Sequence, residues 1–69
     1  MRNHSWRQVL KVLTRHGFYV NRQSSSHIQL AHPDGRHATV PRHDPIKEGV
    51  MKSILDQAGI PKEEFLKEI

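Results

Sequence analysis

The chain contains no cysteine. That excludes a disulfide framework and a thiolate metal site, and it suits a reducing compartment without requiring one. No apolar run approaches the ~20 residues that a membrane-spanning helix needs. Met1-Arg2-Asn3-His4 is not followed by the apolar core of a secretory leader. No internal repeat, linker or low-complexity tract interrupts the 69 residues. The expectation from these absences is one cytoplasmic domain, residues 1–69, with a single small core and no membrane partner.

Charge is what the chain has in excess. Eleven Lys and Arg stand against seven Asp and Glu, for a net charge of +4 and an isoelectric point near 10.0. A basic protein of this size favours a polyanionic partner such as nucleic acid, although simple solubility is the plainer reading of charge alone. Six histidines add positive charge as the pH falls through ~6.5.

The most informative stretch runs from Ser24 to Pro41. Ile28 and Leu30 alternate with His27, Gln29 and Ala31; Ala38 and Val40 alternate with His37 and Thr39. A period of two predicts two strands with Ile28, Leu30, Ala38 and Val40 on one buried face. Pro33-Asp34-Gly35 supplies the turn between them, with Gly35 at a position that asks for φ > 0. His27 then stands on the opposite face, just after three serines.

Helices flank this hairpin. Ser5-Trp6-Arg7-Gln8 has the capping-box pattern, and Trp6, Val9, Leu10 and Leu13 follow at helical spacing. A helix is predicted over about 6–16, closed by Gly17. Phe18 to Gln23 reads as a first strand with Phe18 and Val20 inward and Tyr19, Asn21 and Gln23 outward. The three serines are too short for a crossover, so the strands, about 18–23, 27–32 and 36–41, form an antiparallel meander. Arg42 to Glu48 is irregular. Val50, Met51, Ile54, Leu55 and Ala58 then mark a helix that Gly59 stops. Pro61 suits the first position of a short last helix, from which Phe65, Leu66 and Ile69 fold back onto the core. The fold class is therefore α+β, with α-β-β-β-α order, helices on one sheet face and the other face open. Double-stranded-RNA-binding domains share this order.

An ordered set of residues carries a family resemblance. Gly17-Phe18 follows the first helix, and Ser26-His27 opens the second strand. His32-Pro33-Asp34-Gly35-Arg36 runs into Thr39-Val40-Pro41-Arg42-His43. Gly49 opens the second helix, and Ile54-Leu55-Asp56-Gln57-Ala58-Gly59 closes it ahead of Glu63-Glu64-Phe65. Over nearly its whole length the chain resembles the HicA-type toxins (YcfA-like mRNA interferases). The resemblance implies a dsRBD-like fold, a ribonuclease toxin of a toxin–antitoxin pair that acts on mRNA, and a HicB-type antitoxin that covers the active surface. The family's catalytic histidine lies in a Gly-Ser-His motif and carries over to His27. Ser25 stands where the family usually has Gly, and Val50-Met51 replaces the commoner Thr-Leu.

The implied chemistry needs little beyond one placed imidazole. RNA carries its own nucleophile, the 2′-OH, and a neutral imidazole can take its proton as the oxygen attacks phosphorus. The products are a 2′,3′-cyclic phosphate and a 5′-hydroxyl. No metal or other cofactor is needed to make the nucleophile. Cations must still meet the phosphorane charge and a proton must reach the leaving oxygen. Arg22, Arg42, His43 and Lys47 are the candidates for RNA binding and for these roles.

Other readings compete. A Ser26–His27 nucleophile pair is disfavoured because neighbours in a strand point to opposite faces. His32 and His37, with His27 or His43, would make a three-histidine metal site, but no HExxH-like spacing supports it. Arg7, Lys11 and Arg15 form a basic helical stripe that is either a solvated face or a phosphate contact. At the level of function, the alternatives are a non-catalytic double-stranded-RNA-binding module and a small domain that docks an acidic protein. Since the residues offer no strong metal-ligand spacing, RNA cleavage is expected to survive excess EDTA at fixed ionic strength. Loss of activity that zinc or manganese restores would favour the histidine cluster instead.

Overall fold

The computed structural model describes residues 4–69. The elements follow the order α1 (Trp6–Arg15), β1 (Tyr19–Gln23), β2 (His27–Ala31), β3 (His37–Pro41), α2 (Glu48–Ala58) and α3 (Lys62–Lys67). The strands form one antiparallel sheet in the order β1-β2-β3.

Ser5 caps α1 as its sequence predicts. Its Oγ accepts from the Gln8 amide at 3.2 Å, and Gln8 Oε1 accepts from the Ser5 amide at 3.2 Å. Asp44 adds a second cap from 38 residues away, its carboxylate accepting from the Trp6 amide at 2.8 Å. An anion at this end also suits the helix dipole. Gly17 and Gly59 close α1 and α2 with φ of +94° and +71°, in the conformation that only glycine adopts without strain.

Ile28 pairs with Val40, and Leu30 with Ala38, and all four are buried. They meet Val9, Val12 and Leu13 of α1 and Met51, Ile54 and Leu55 of α2 in one cluster. Two buried residues outside the named elements were hidden from the sequence. Ile46, in the irregular stretch after β3, is fully buried because its backbone forms a two-bond bridge with His4. His4 is itself only 8 % exposed and packs edge-on against Phe65, with ring centroids 5.4 Å apart.

Three expectations are corrected. Val20 shares the inner face with its partner Leu30 but is not buried there; it is 47 % exposed. Both α1 and α2 pack against β3, at the far side of the sheet, and every residue of β1 is exposed. Leu66 and Ile69 stay exposed, and Phe65 alone of the last helix enters the core. Pro61 stands one residue outside α3, as its cap.

The far end of the β2–β3 hairpin is locked by Arg36. Its amide donates to Asp34 Oδ1 at 3.0 Å and its Nε to Oδ2 at 2.8 Å. Its guanidinium also donates to the Ala58 carbonyl at the end of α2 and lies 5.2 Å from the Phe18 ring centroid. The Arg36 amide, and after it the guanidinium, hold the Asp34 carboxyl below its ordinary value. With the folded value depressed, this contribution to stability is present above the unfolded pKa and is lost as pH falls through the folded one.

Gly17 and Gly35 both have positive φ, at +94° and +99°, but only Gly17 is crowded: a Cβ there would lie 2.8 Å from His32 Nε2. Around Gly35 nothing lies within 4 Å of such an atom. Gly35→Ala is expected to cost only the backbone term of about 1–2 kcal/mol, and Gly17→Ala clearly more. Urea unfolding of the two variants checks the order, and equal losses would contradict it.

Candidate functional site

His27 opens β2, and a four-residue turn delivers it there. The Ser24 amide donates to the His27 carbonyl at 2.8 Å, and the His27 amide donates to Ser24 Oγ at 3.2 Å. Ser24 is thus the pin of the turn rather than a loose polar connection. The Arg42 amide donates to the Ser26 carbonyl at 2.8 Å, and the Arg42 guanidinium reaches the Ser24 carbonyl at 3.4 Å. The same guanidinium carbon stands 5.4 Å from the Trp6 ring centroid. Arg42 therefore braces the turn that presents His27.

The imidazole is exposed, on the face opposite Ile28 and Leu30. Its Nδ1 lies 3.1 Å from Ser26 Oγ. The expectation that Ser26 and His27 point apart is corrected. Alternation holds within a strand, and Ser26 lies in the turn before it. The contact engages Nδ1 and leaves Nε2 as the ring nitrogen that faces solvent chemistry.

Two depressions share His27. The smaller, about 50 Å³, is lined by Arg22, Gln23, Ser24 and Gln29 together with His27. Arg22 reaches it through a bulge. The pairing runs Val20 with Leu30 and then Arg22 with Gln29, so Asn21 has no partner. In unbroken alternation Arg22 would fall on the face of Phe18 and Val20; the extra residue turns it toward the open face. The larger depression, a groove of about 380 Å³, lies between β3 and α2. Thr39 and Pro41 line it from the sheet, and Gly49, Val50, Ser53 and Gln57 from the helix, with His27 also in its wall. Gln57 Oε1 accepts from the Thr39 amide at 3.3 Å, which ties α2 to the free edge of β3.

Of the five residues singled out from the sequence, the fold brings His27, Arg22 and Arg42 into one neighbourhood. His43 and Lys47 are exposed on the segment between β3 and α2, and neither lines either depression. The basic stripe of α1 is divided: Arg7 lies 5.2 Å from the Trp6 ring centroid, Lys11 is exposed, and Arg15 donates to the Glu68 carbonyl at 3.3 Å. Gln29, Thr39, Ser53 and Gln57 were missed. Gln29 and Thr39 were legible as outward positions of β2 and β3, but the α2 residues gave no signal before the helix was docked.

The three-histidine cluster does not form. His32 turns away, with Nε2 donating to the His16 carbonyl at 2.9 Å and Nδ1 accepting from the Asp34 amide at 3.2 Å. Among the described residues, a group with metal-ligand reach is His16, Glu64 and Glu68, whose ligand atoms lie within 4.8 Å of one another. None of the three lines a depression that contains His27.

Helix, three-stranded meander and helix, with one sheet face open and an exposed histidine between two hollows, define a small α+β domain. The family model for the HicA toxin of bacterial toxin–antitoxin systems matches residues 6–60. The chain belongs to the HicA toxin family, as the toxin component, whose counterpart is an antitoxin. A comparison with curated proteins found no match. The matched span contains His27 and both depressions, and ends before α3. Among the described residues no helix is long and apolar enough to cross a membrane.

Histidine accessibility gives a direct check. His4 is buried, whereas His27, His37 and His43 are exposed. In the free protein, diethyl pyrocarbonate is expected to modify exposed His27, His37 and His43 well before His4. Peptide mapping by mass spectrometry reads the order, and His4 reacting as fast as His27 would contradict this placement.

Proposed function

We propose that this toxin is a metal-independent endoribonuclease that cleaves mRNA in the cytoplasm, with His27 as general base and residues 1–69 acting as one unit. The observation that carries the reading is the exposed His27 ring, shared by both hollows, with Nδ1 held 3.1 Å from Ser26 Oγ. With Nδ1–H donating to Ser26, Nε2 keeps its lone pair and takes the proton of the ribose 2′-OH. The freed oxygen attacks the adjacent phosphorus, the bond to the 5′-oxygen breaks as that oxygen takes a proton from water, and the products are a 2′,3′-cyclic phosphate and a 5′-hydroxyl. Arg22 and Arg42 stand nearest to His27 among the proposed cations and would meet the phosphorane charge. His43 and Lys47 extend the basic surface along which the strand is held. A single general base contributes about 10²–10⁴-fold, so the enzyme is slow.

Silencing follows from the same geometry. A HicB-type antitoxin would cover the open face, drawn by the positive charge of Arg22, Arg42 and Lys47 to an acidic docking surface. Complementary charge speeds association, which limits the lifetime of free toxin.

His27→Ala is expected to lower RNA cleavage by about 10²–10⁴-fold with unchanged circular dichroism, because the exposed ring contributes little packing. Full activity of the variant would overturn the assignment. RNA binding by the wild type is expected to fall with salt at a log–log slope near −2 to −3, for about three or four phosphates at −0.7 each. Arg22→Ala and Arg42→Ala should each reduce the slope by about 0.7. Salt-sensitive binding without any cleavage would assign the chain to the non-catalytic RNA-binding module instead.

A further inference from the structure

Gly49 is in the first turn of α2, a helical position that does not need glycine. Its φ is not positive, and a Cβ built there meets nothing within 4 Å. Glycine is the poorest helix former apart from proline, so its use here weakens α2 with no local return. The open space it leaves is the wall of the groove between β3 and α2.

That groove has the chemistry of a base-binding hollow. Pro41 and Val50 offer flat or apolar surface, while Thr39, Ser53 and Gln57 offer polar atoms. Gln57 is oriented: its Oε1 accepts from the Thr39 amide, so the Nε2 protons are what this side chain offers a ligand. At about 380 Å³ the groove lies at the small end of ligand pockets. His27 stands in its wall and also in that of the small hollow beside Arg22. A strand with its phosphate over His27 therefore has a place on one side for a cation contact and on the other for a splayed base. Single-stranded RNA is recognised in this way, by unstacked bases set against side chains and read at their edges.

We propose that this groove seats one nucleobase next to the scissile phosphate, that Gly49 keeps it open, and that Gln57, by donating from Nε2, favours bases with an acceptor on the exposed edge. The proposal rests on the reading of this protein as acting on RNA.

The test separates the two. His27→Ala is used as the non-cleaving parent, and its affinity for short single-stranded A, C, G and U homopolymers is measured by fluorescence anisotropy. Gly49→Leu and Gln57→Leu are added to it singly. The parent is expected to discriminate among the four. Gly49→Leu should bind its preferred homopolymer at least about tenfold more weakly, the scale of a filled pocket, and with the preference flattened. Its Tm should be unchanged or higher, because leucine replaces glycine in a helix. Gln57→Leu should lose preference more than affinity. Gly49→Ala, which intrudes less, should fall between parent and Gly49→Leu and gives a second reading should leucine disturb folding. A Gly49→Leu protein that is folded and binds all four as the parent does would overturn the proposal. Loss of antitoxin binding with RNA binding intact would overturn it too, and would give the groove to a protein segment. If the parent discriminates and Gly49→Leu does not, but the wild type cleaves nothing, the base seat stands and the nuclease reading falls.

Discussion

One-sided burial of the β2–β3 hairpin is the constraint on which the molecule depends. Ile28 opposite Val40 and Leu30 opposite Ala38 place four apolar side chains on one face. The pleat then commits His27, Gln29, Thr39 and Pro41 to the other. A slip of one residue would exchange the two faces, exposing the core and burying the histidine. Stability and the exposure of His27 are coupled through that register. The energetic reason to keep Ile28 inward is also what holds His27 in water.

The two ends of the hairpin divide the labour. At the turn end, Asp34, Arg36, Phe18 and the last carbonyl of α2 form a connected set of charge-assisted bonds and ring contacts. At the other end, the Ser24–His27 turn, Arg42 and the bulge that redirects Arg22 surround an exposed imidazole. Substitutions at the second end therefore touch few core contacts. The sheet edges differ in the same sense. The β3 edge is covered by α2 through Gln57, and β1 is exposed along its whole length, with Tyr19 and Val20 about half exposed.

The last helix lies outside residues 6–60, which the family model matches. Phe65 is fully buried and packs on His4, which bridges to Ile46, while Lys62 binds Glu48 at 2.7 Å and holds its carboxyl below the ordinary value. In a chain this short a single fully buried phenylalanine is a large part of the core, and truncation of such a side chain to alanine typically costs about 3–5 kcal/mol. Phe65 thus anchors the last helix to the core.

The sequence by itself determined the hairpin, its buried face, the capping box of α1, the glycine ends of α1 and α2 and the outward position of His27, because each is a matter of period, turn chemistry or local hydrogen bonding. The capping box at Ser5, the positive φ at Gly17, Gly35 and Gly59, and the burial of Ile28, Leu30, Ala38 and Val40 all follow from neighbours within a few residues. The tertiary structure decided what depends on how elements dock. Val20 obeys the strand period and is still exposed, since period says which face a residue shares and not whether a helix covers it. Ile46 and His4 are buried by a bridge across 42 residues of chain, and no local pattern marks them. Arg22 reaches His27 only through a one-residue bulge, and the groove exists only where α2 lies along β3. Local rules fix direction within an element, whereas burial, reach and cavities are set by the distances between elements, which a one-dimensional pattern does not contain.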